Sequence, residues 1–189
     1  RVETLAHLQY SPTRSLSRRR NVTQQYALPE VLVSTEWVAE HLEDPSIIVV
    51  EVNTDLQAEY HQGHVPGAVG WGLHTDLEDQ VRRDIPGVGQ MESLLGRSGI
   101  DNHTAIVLYG DGNNRSATWA FWVLKYYRHQ DVRLINGGRK KWLDEGRPVS
   151  TDVPLPDAKT YKVPAPDRSL RAMKEYIVQN LVNRSVKLL

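Results

Sequence analysis

No cysteine occurs anywhere in the 189 residues. That absence excludes disulfides, thiolate metal sites and any cysteine nucleophile carried by this chain. Phenylalanine is nearly missing too, with one residue, and methionine supplies two, so aromatic packing falls to the five Trp and eight Tyr. The chain has no apolar run of about 18 residues and no apolar signal-peptide core, so no membrane partner is expected. It also lacks excess charge: 23 basic and 23 acidic residues cancel, and no global attraction to nucleic acid is expected. Four Asn-x-Ser/Thr triplets, at Asn21, Asn102, Asn114 and Asn183, are read as chance matches.

What is present fits one α/β domain with an addition, since 40% of the residues are hydrophobic and the length supports one sizeable core. The first residue is Arg1, which reads as a chain cut or processed from something longer. Residues 1–30 form an extension whose first 29 residues hold five Arg (Arg1, Arg14, Arg18, Arg19, Arg20) and one acid, Glu3. This composition fits a transit peptide or, the reading preferred, a disordered or loosely docked leader, which leaves the expected location cytoplasmic.

From Ser34 the pattern becomes regular. Ser34 can cap a helix that carries Trp37, Val38, His41 and Leu42 on one stripe and closes at Pro45. Ile47 to Val52 is a β-branched run of strand length. A short helix is expected around Asp55 to His61, then a turn at Pro66 and Gly67. Met91, Leu94 and Leu95 share a helical face that Gly99 ends. Thr104 to Tyr109 reads as a second buried strand and Val132 to Ile135 as a third, followed by an "NGG" turn and a helix stopped at Gly146. Trp119, Phe121, Trp122, Val123, Leu124, Tyr126 and Tyr127 fall within nine positions, which predicts a helix against a sheet and covered elsewhere. Strands separated by helices predict a doubly wound parallel sheet with helices on both faces over residues 31–150. Beyond it, Pro148 to Asp167 reads as an extended linker with "TYKV" as an edge strand. Ser169 is expected to cap an amphipathic helix carrying Leu170, Met173, Tyr176, Ile177 and Leu181, and "SVKLL" to begin a further strand. Residues 151–189 are thus the linker and opening elements of a truncated second domain.

The segment "IVLYGDGNNRSATWAFWVLKYY" joins the second strand to the aromatic helix through Gly110, Asp111, Gly112, Asn113, Asn114 and Arg115. Loop N–H groups ahead of a helix start make an anion cradle. Arg115 stands where a dinucleotide fingerprint needs its third glycine, and the Gly-Lys-Ser/Thr of a phosphate loop is missing. A carboxylate about 5 Å from each unit of ligand charge repels it by roughly 3 kcal/mol at an effective dielectric of 20, whereas a helix end returns only about 0.3–1 kcal/mol. Asp111 is therefore expected to accept loop N–H bonds or pair with Arg115.

"YHQGHVPGAV", with His64, Pro66, Gly67 and Ala68, resembles the first signature of the rhodanese family of sulfurtransferases, although Trp71 departs from its usual aliphatic or Phe. "DVRLINGGRKKW" is similar to the stretch after the active-site helix in two-domain members, and "GDGNN" to the loop of their N-terminal half. The resemblance implies a loop-leading cysteine that takes sulfur from thiosulfate or 3-mercaptopyruvate as a persulfide and passes it to cyanide or another thiophilic acceptor. Gly110 stands at that position, and Asn53 stands where the catalytic half carries a substrate-binding Arg. The chain is thus expected to hold no catalytic residue and no cofactor or metal. Its expected partner is a C-terminal rhodanese domain of the same chain, with a small sulfur donor as substrate of the whole protein. The alternative is a stand-alone, inactive rhodanese-like binding module.

Three other groups are read as structural. His61, His64 and His74 lack the spacing of a metal site. Asp76, Glu78, Asp79 and Asp84, with Arg82 and Arg83, read as a solvated face. Arg139, Lys140 and Lys141 read as surface charge on a short helix.

Overall fold

The computed structural model describes residue 26, residues 28–183 and residues 185–186. The leader and the "SVKLL" strand expected from the sequence lie largely outside the described residues. Five strands form one wholly parallel sheet: β1 (Leu32–Val33), β2 (Ile47–Asn53), β3 (Val69–Gly72), β4 (Ala105–Tyr109) and β5 (Val132–Ile135), in the order β1-β5-β4-β2-β3. The helices are α1 (Thr35–Glu40), α2 (Leu73–Asp76), α3 (Val88–Arg97), α4 (Asp111–Tyr126), α5 (Gly138–Asp144) and α6 (Lys174–Asn180).

Alternation along the strands sorts the core into two layers. Val50, Val52, Ile106 and Leu108 face a cluster with Met91, Leu94 and Leu95 of α3 and Ala117, Ala120 and Leu124 of α4. Val49, Val107 and Tyr109 face the other side, with Val38 of α1 and Trp142 of α5. Helices on both faces of a parallel sheet are the architecture expected. Burying β2 and β4 on both faces explains why these strands read as continuous apolar runs rather than alternating ones.

Local departures have local causes. β1 is only two residues long and carries no sequence signal of its own; it adds to the edge beside β5. The segment expected to be helical around Asp55 to His61 is a turn anchored by the Asp55 carboxylate, which accepts the Gln57 and Ala58 N–H groups at 2.9 and 3.1 Å, followed by a short 3-10 helix at Tyr60–Gln62. Side-chain capping of this kind competes with helix propagation. Ser34 does cap α1, accepting the Trp37 N–H at 3.0 Å. The aromatic helix is covered only in part: Val123, Leu124 and Tyr127 are buried, Phe121, Trp122 and Tyr126 are half-buried, and Trp119 is exposed.

After α5 the chain runs along the domain without regular structure, and "TYKV" is not a strand. It docks through single bonds instead: Ser150 exchanges two backbone bonds with His64, both 2.9 Å, and Lys159 N–H reaches Gly96 O at 3.0 Å. Asn102 takes both the N–H and the carbonyl of Lys162, at 3.0 and 2.7 Å. Tyr161 is buried beside His129. Ser169 is not a helix cap; Asp167 caps a 3-10 turn at Arg168–Leu170, and α6 begins only at Lys174. Leu170, Met173, Tyr176, Ile177 and Leu181 are all exposed.

Candidate functional site

The C-terminal ends of parallel strands are where an open α/β sheet places its ligands, and here the segment after β4 lies between β2 and β5. Gly110 is fully extended. The backbone then turns left-handed over three consecutive residues, Gly112, Asn113 and Asn114, at φ of 55, 59 and 64°. Glycine and asparagine are the residues that tolerate this region. From Arg115 the helix continues in its ordinary hand.

Two side-chain amides close the loop from the inside. Asn114 Oδ1 accepts the Gly110 N–H at 3.1 Å, and its Nδ2 donates to Ile135 O at 2.8 Å. Asn53, buried at the end of β2, accepts the Asp111 N–H at 3.3 Å. The expectation for Asp111 is therefore corrected: among the described residues its carboxylate makes neither a loop N–H bond nor an ion pair with Arg115, and both side chains are exposed. Neutral amide oxygens reach the loop N–H groups from the buried side without desolvating a charge, and the carboxylate keeps its water.

A buried ionic floor lies under the loop. Glu51 of β2 is fully buried; Arg139 Nη1 donates to its two oxygens at 3.0 and 3.2 Å, Asn53 Nδ2 donates at 2.7 Å, and the Tyr109 hydroxyl donates to Oε2. Arg139 also donates to Gly63 O at 2.5 Å and Glu59 O at 3.1 Å, while its own N–H meets Gly110 O at 3.1 Å. Burial and the adjacent Glu51 carboxylate push the Tyr109 phenol well above its ordinary value, so it remains a donor. Arg139 is thus not surface charge, unlike Lys140 and Lys141, which pair with Asp144 and Glu145 one turn on.

The "HVPGA" turn is tied to this floor. Tyr109 accepts the Val65 N–H at 2.8 Å. His64 is buried and stacked on Tyr60 at 3.9 Å, and its ring nitrogens face Tyr60 O at 2.9 Å and Asp152 O at 3.1 Å. Gly67 takes φ +77°, and Ala68 O accepts the Tyr60 hydroxyl at 2.7 Å. Pro66 lies between the buried Val65 and Gly67. Among the described residues no three His, Asp or Glu side chains are grouped to hold a metal ion. The acidic loop is not simply a solvated face: Asp76 pairs with Arg97, and Asp84 with Arg171 at 2.6 Å.

The cavity at the loop is small, about 70 Å³, and is lined by Asn53, Thr54, Glu59, Asp111, Gly112, Arg115 and Ser116. Glu59 Oε2 is buried there without a hydrogen-bond partner. Burial, then the Asp111 carboxylate, raise the Glu59 pKa. Two carboxylates, Glu59 and Asp111, thus face the cavity with one cation, Arg115. A far larger cavity, about 870 Å³, lies elsewhere, between Phe121 and Trp122 of α4 and the β1–β5 edge; it contains none of the loop residues. Nor is there room for a side chain at the head of the loop, because a Cβ on Gly110 would stand 2.3 Å from Val52 O.

The family description "Rhodanese-like domain" matches residues 34–145, which include the loop, the "HVPGA" turn and both residues of the ionic floor. The chain belongs to the rhodanese-like family. Among its curated relatives, the sulfur carrier protein TtuD of Thermus thermophilus is 48% identical over 157 residues, covering 83% of this chain and 55% of that protein. A putative thiosulfate sulfurtransferase of Mycobacterium leprae is 39% identical over 155 residues, covering 82% of this chain and 56% of its own. The rhodanese-like chain therefore spans about half the length of the curated relatives it matches. Its fold is shared with the 3-mercaptopyruvate sulfotransferase SseA from Escherichia coli, at a TM-score of 0.75 and 21% identity over 83% of this chain and 63% of that one.

Sequence reasoning missed the Glu51–Arg139 pair. A signal existed: a glutamate inside "IIVVEV", a run that reads as buried on both faces, demands a buried cationic partner.

Proposed function

We propose that this chain is the noncatalytic N-terminal half of a two-domain sulfurtransferase. In that protein a cysteine of the second half would carry sulfane sulfur, as a persulfide, from thiosulfate or 3-mercaptopyruvate to cyanide or another thiophilic acceptor. The observation that carries the reading is Gly110. It occupies the position the family gives its nucleophile, and Val52 O stands 2.3 Å from where its Cβ would be. The surroundings support the same reading. The Gly110 and Asp111 N–H groups that could hold a thiolate are taken by Asn114 and Asn53, while Glu59 and Asp111 line the cavity and oppose an anionic donor. The exposed apolar residues from Leu170 to Leu181 favour a partner domain over a module that stands alone.

The test begins with the endogenous gene product, captured by an antibody against this chain. The expected result is a mass well above 21.5 kDa, thiosulfate-dependent formation of thiocyanate, and a persulfide that maps outside residues 1–189. The chain alone should give no turnover above a protein-free control. Turnover by the chain alone, or a product at 21.5 kDa with no activity, would overturn the proposal; the latter would leave the inactive binding module.

A further inference from the structure

Asn136 is the one asparagine in the sequence followed by glycine. It sits in the turn that carries the chain from β5 into α5, and both Asn136 and Gly137 are exposed. The Asn136 N–H is held by Val33 O at 2.8 Å, but its side-chain amide and the Gly137 N–H make no hydrogen bond among the described residues. Gly137 has no side chain to shield its nitrogen, and it lies at φ +90°, followed by Gly138 at +57°. An unbonded amide nitrogen is thus next to an unbonded carboxamide in an exposed turn.

We propose that Asn136 is a site of spontaneous deamidation in the native fold. The Gly137 nitrogen, after losing its proton to hydroxide or a buffer base, attacks the Asn136 side-chain carbonyl carbon. The new C–N bond closes a succinimide, the bond to the amide nitrogen breaks, and that nitrogen takes a proton back from the conjugate acid of the base and leaves as ammonia. Water then opens either carbonyl of the ring, giving aspartate or isoaspartate, and no oxidant or reductant is involved. The location couples this surface chemistry to the site. Gly138 packs so closely that a Cβ would meet Asn114 Oδ1 at 2.3 Å and Gly110 O at 2.9 Å, and Arg139 follows immediately. An isoaspartyl link inserts one methylene into the backbone just before those contacts and displaces the start of α5. The inference does not depend on the proposed catalytic partner.

The full chain is incubated under mildly alkaline conditions at a temperature well below its melting point, then digested with trypsin and mapped by mass. The peptide Leu134–Arg139 should gain the mass of one amide-to-acid conversion and should test positive for isoaspartate. Its rate should rise with pH, and the whole-protein melting temperature should fall as the isoaspartyl form accumulates. Asn136→Ser, which removes no side-chain hydrogen bond found among the described residues, should abolish both changes and leave the starting stability unaltered. The proposal is overturned if the native chain stays unmodified at Asn136 while the same chain in urea is converted, or if another asparagine reacts first.

Discussion

Arg139 and Glu51 face each other beneath the loop, Nη1 to Oε1 at 3.0 Å, with side chains 12% and 0% exposed. The pair joins α5 to the end of β2 across 88 residues of sequence. Through the same guanidinium it also grips the backbone of Gly63 and Glu59. It fixes three segments of the site at once.

Removing the cation alone should therefore be severe. Arg139→Leu leaves Glu51 charged and buried with only neutral donors, Tyr109 and Asn53, and a loss of about 3–5 kcal/mol is expected. Urea denaturation checks this. Replacing both charges, as Glu51→Gln with Arg139→Met, should recover a large part of that loss, because the uncompensated charge is then gone. A double variant no more stable than the single one would show that the backbone contacts of Arg139, not the ion pair, dominate.

At the head of the loop, Gly110→Ala should cost about 1–3 kcal/mol, as an overpacked buried position does. Its extended backbone suits any residue, so the penalty arises from Val52 O alone. Gly89 in α3 gives the contrast: a Cβ there meets nothing within 4 Å, and Gly89→Ala should stabilise by about 0.5–1 kcal/mol. Thermal melts of the two variants should move in opposite directions. Gly110→Cys should share the loss of stability and yield no sulfur transfer, in an assay of thiocyanate formed from thiosulfate and cyanide.

These two positions also show how far the sequence could be read. Strands β2, β4 and β5 were legible as apolar, β-branched runs, whereas the short β1 and β3 were not, and the start of α1 was legible because Ser34 could be recognised as a cap. The loop was legible as a junction, and Gly110 as its head. What was not legible depended on contacts distant in sequence. Arg139 looks like surface charge until β2 brings Glu51 beneath it, and Asn114 looks like an ordinary turn residue until its amide is seen bridging Gly110 and Ile135. Asp111 was expected to satisfy the loop or pair with Arg115 because its charge would repel a bound anion, but the cost of desolvating a carboxylate favours the amides. "TYKV" has strand composition, yet the linker spends its hydrogen bonds singly on Gly96, Asn102 and Glu92, and no continuous edge is offered to it.

The linker contact at Tyr161 should respond to acid. His129 Nδ1 lies 2.8 Å from the Tyr161 hydroxyl and Nε2 2.9 Å from Thr104 O, an arrangement satisfied by a neutral ring that accepts from the phenol and donates to the carbonyl. Burial lowers the His129 pKa; the hydrogen bond to the Thr104 carbonyl opposes this, Lys125 lowers it further, and Asp131 and Asp101 oppose with smaller effects. Burial also pushes the Tyr161 phenol up to about 12, so it stays a donor. In the pH window from 6.5 down to the lowered folded value, the unfolded chain binds a proton that the folded chain does not. Stability therefore falls as pH falls through that window and is flat above it. Melting temperature against pH should show the slope, and His129→Gln should reduce it.

Glu59 should behave with the opposite sign. Its carboxyl is raised above the ordinary 4.5, first by burial and then by Asp111, with Arg139 opposing. Between 4.5 and the raised folded value the folded chain keeps a proton that the unfolded chain has released. Stability therefore declines as pH rises through that interval, is flat above it, and at neutral pH the loss remains in full. Glu59→Gln removes the charge but keeps the shape, and it leaves untouched the backbone carbonyl that Arg139 grips. The variant should be at least as stable as the parent at neutral pH and should lack the decline. Denaturant melts across the interval decide the matter: a variant less stable than the parent at neutral pH would mean that the Glu59 carboxylate is stabilised by Arg139 more than burial and Asp111 disfavour it.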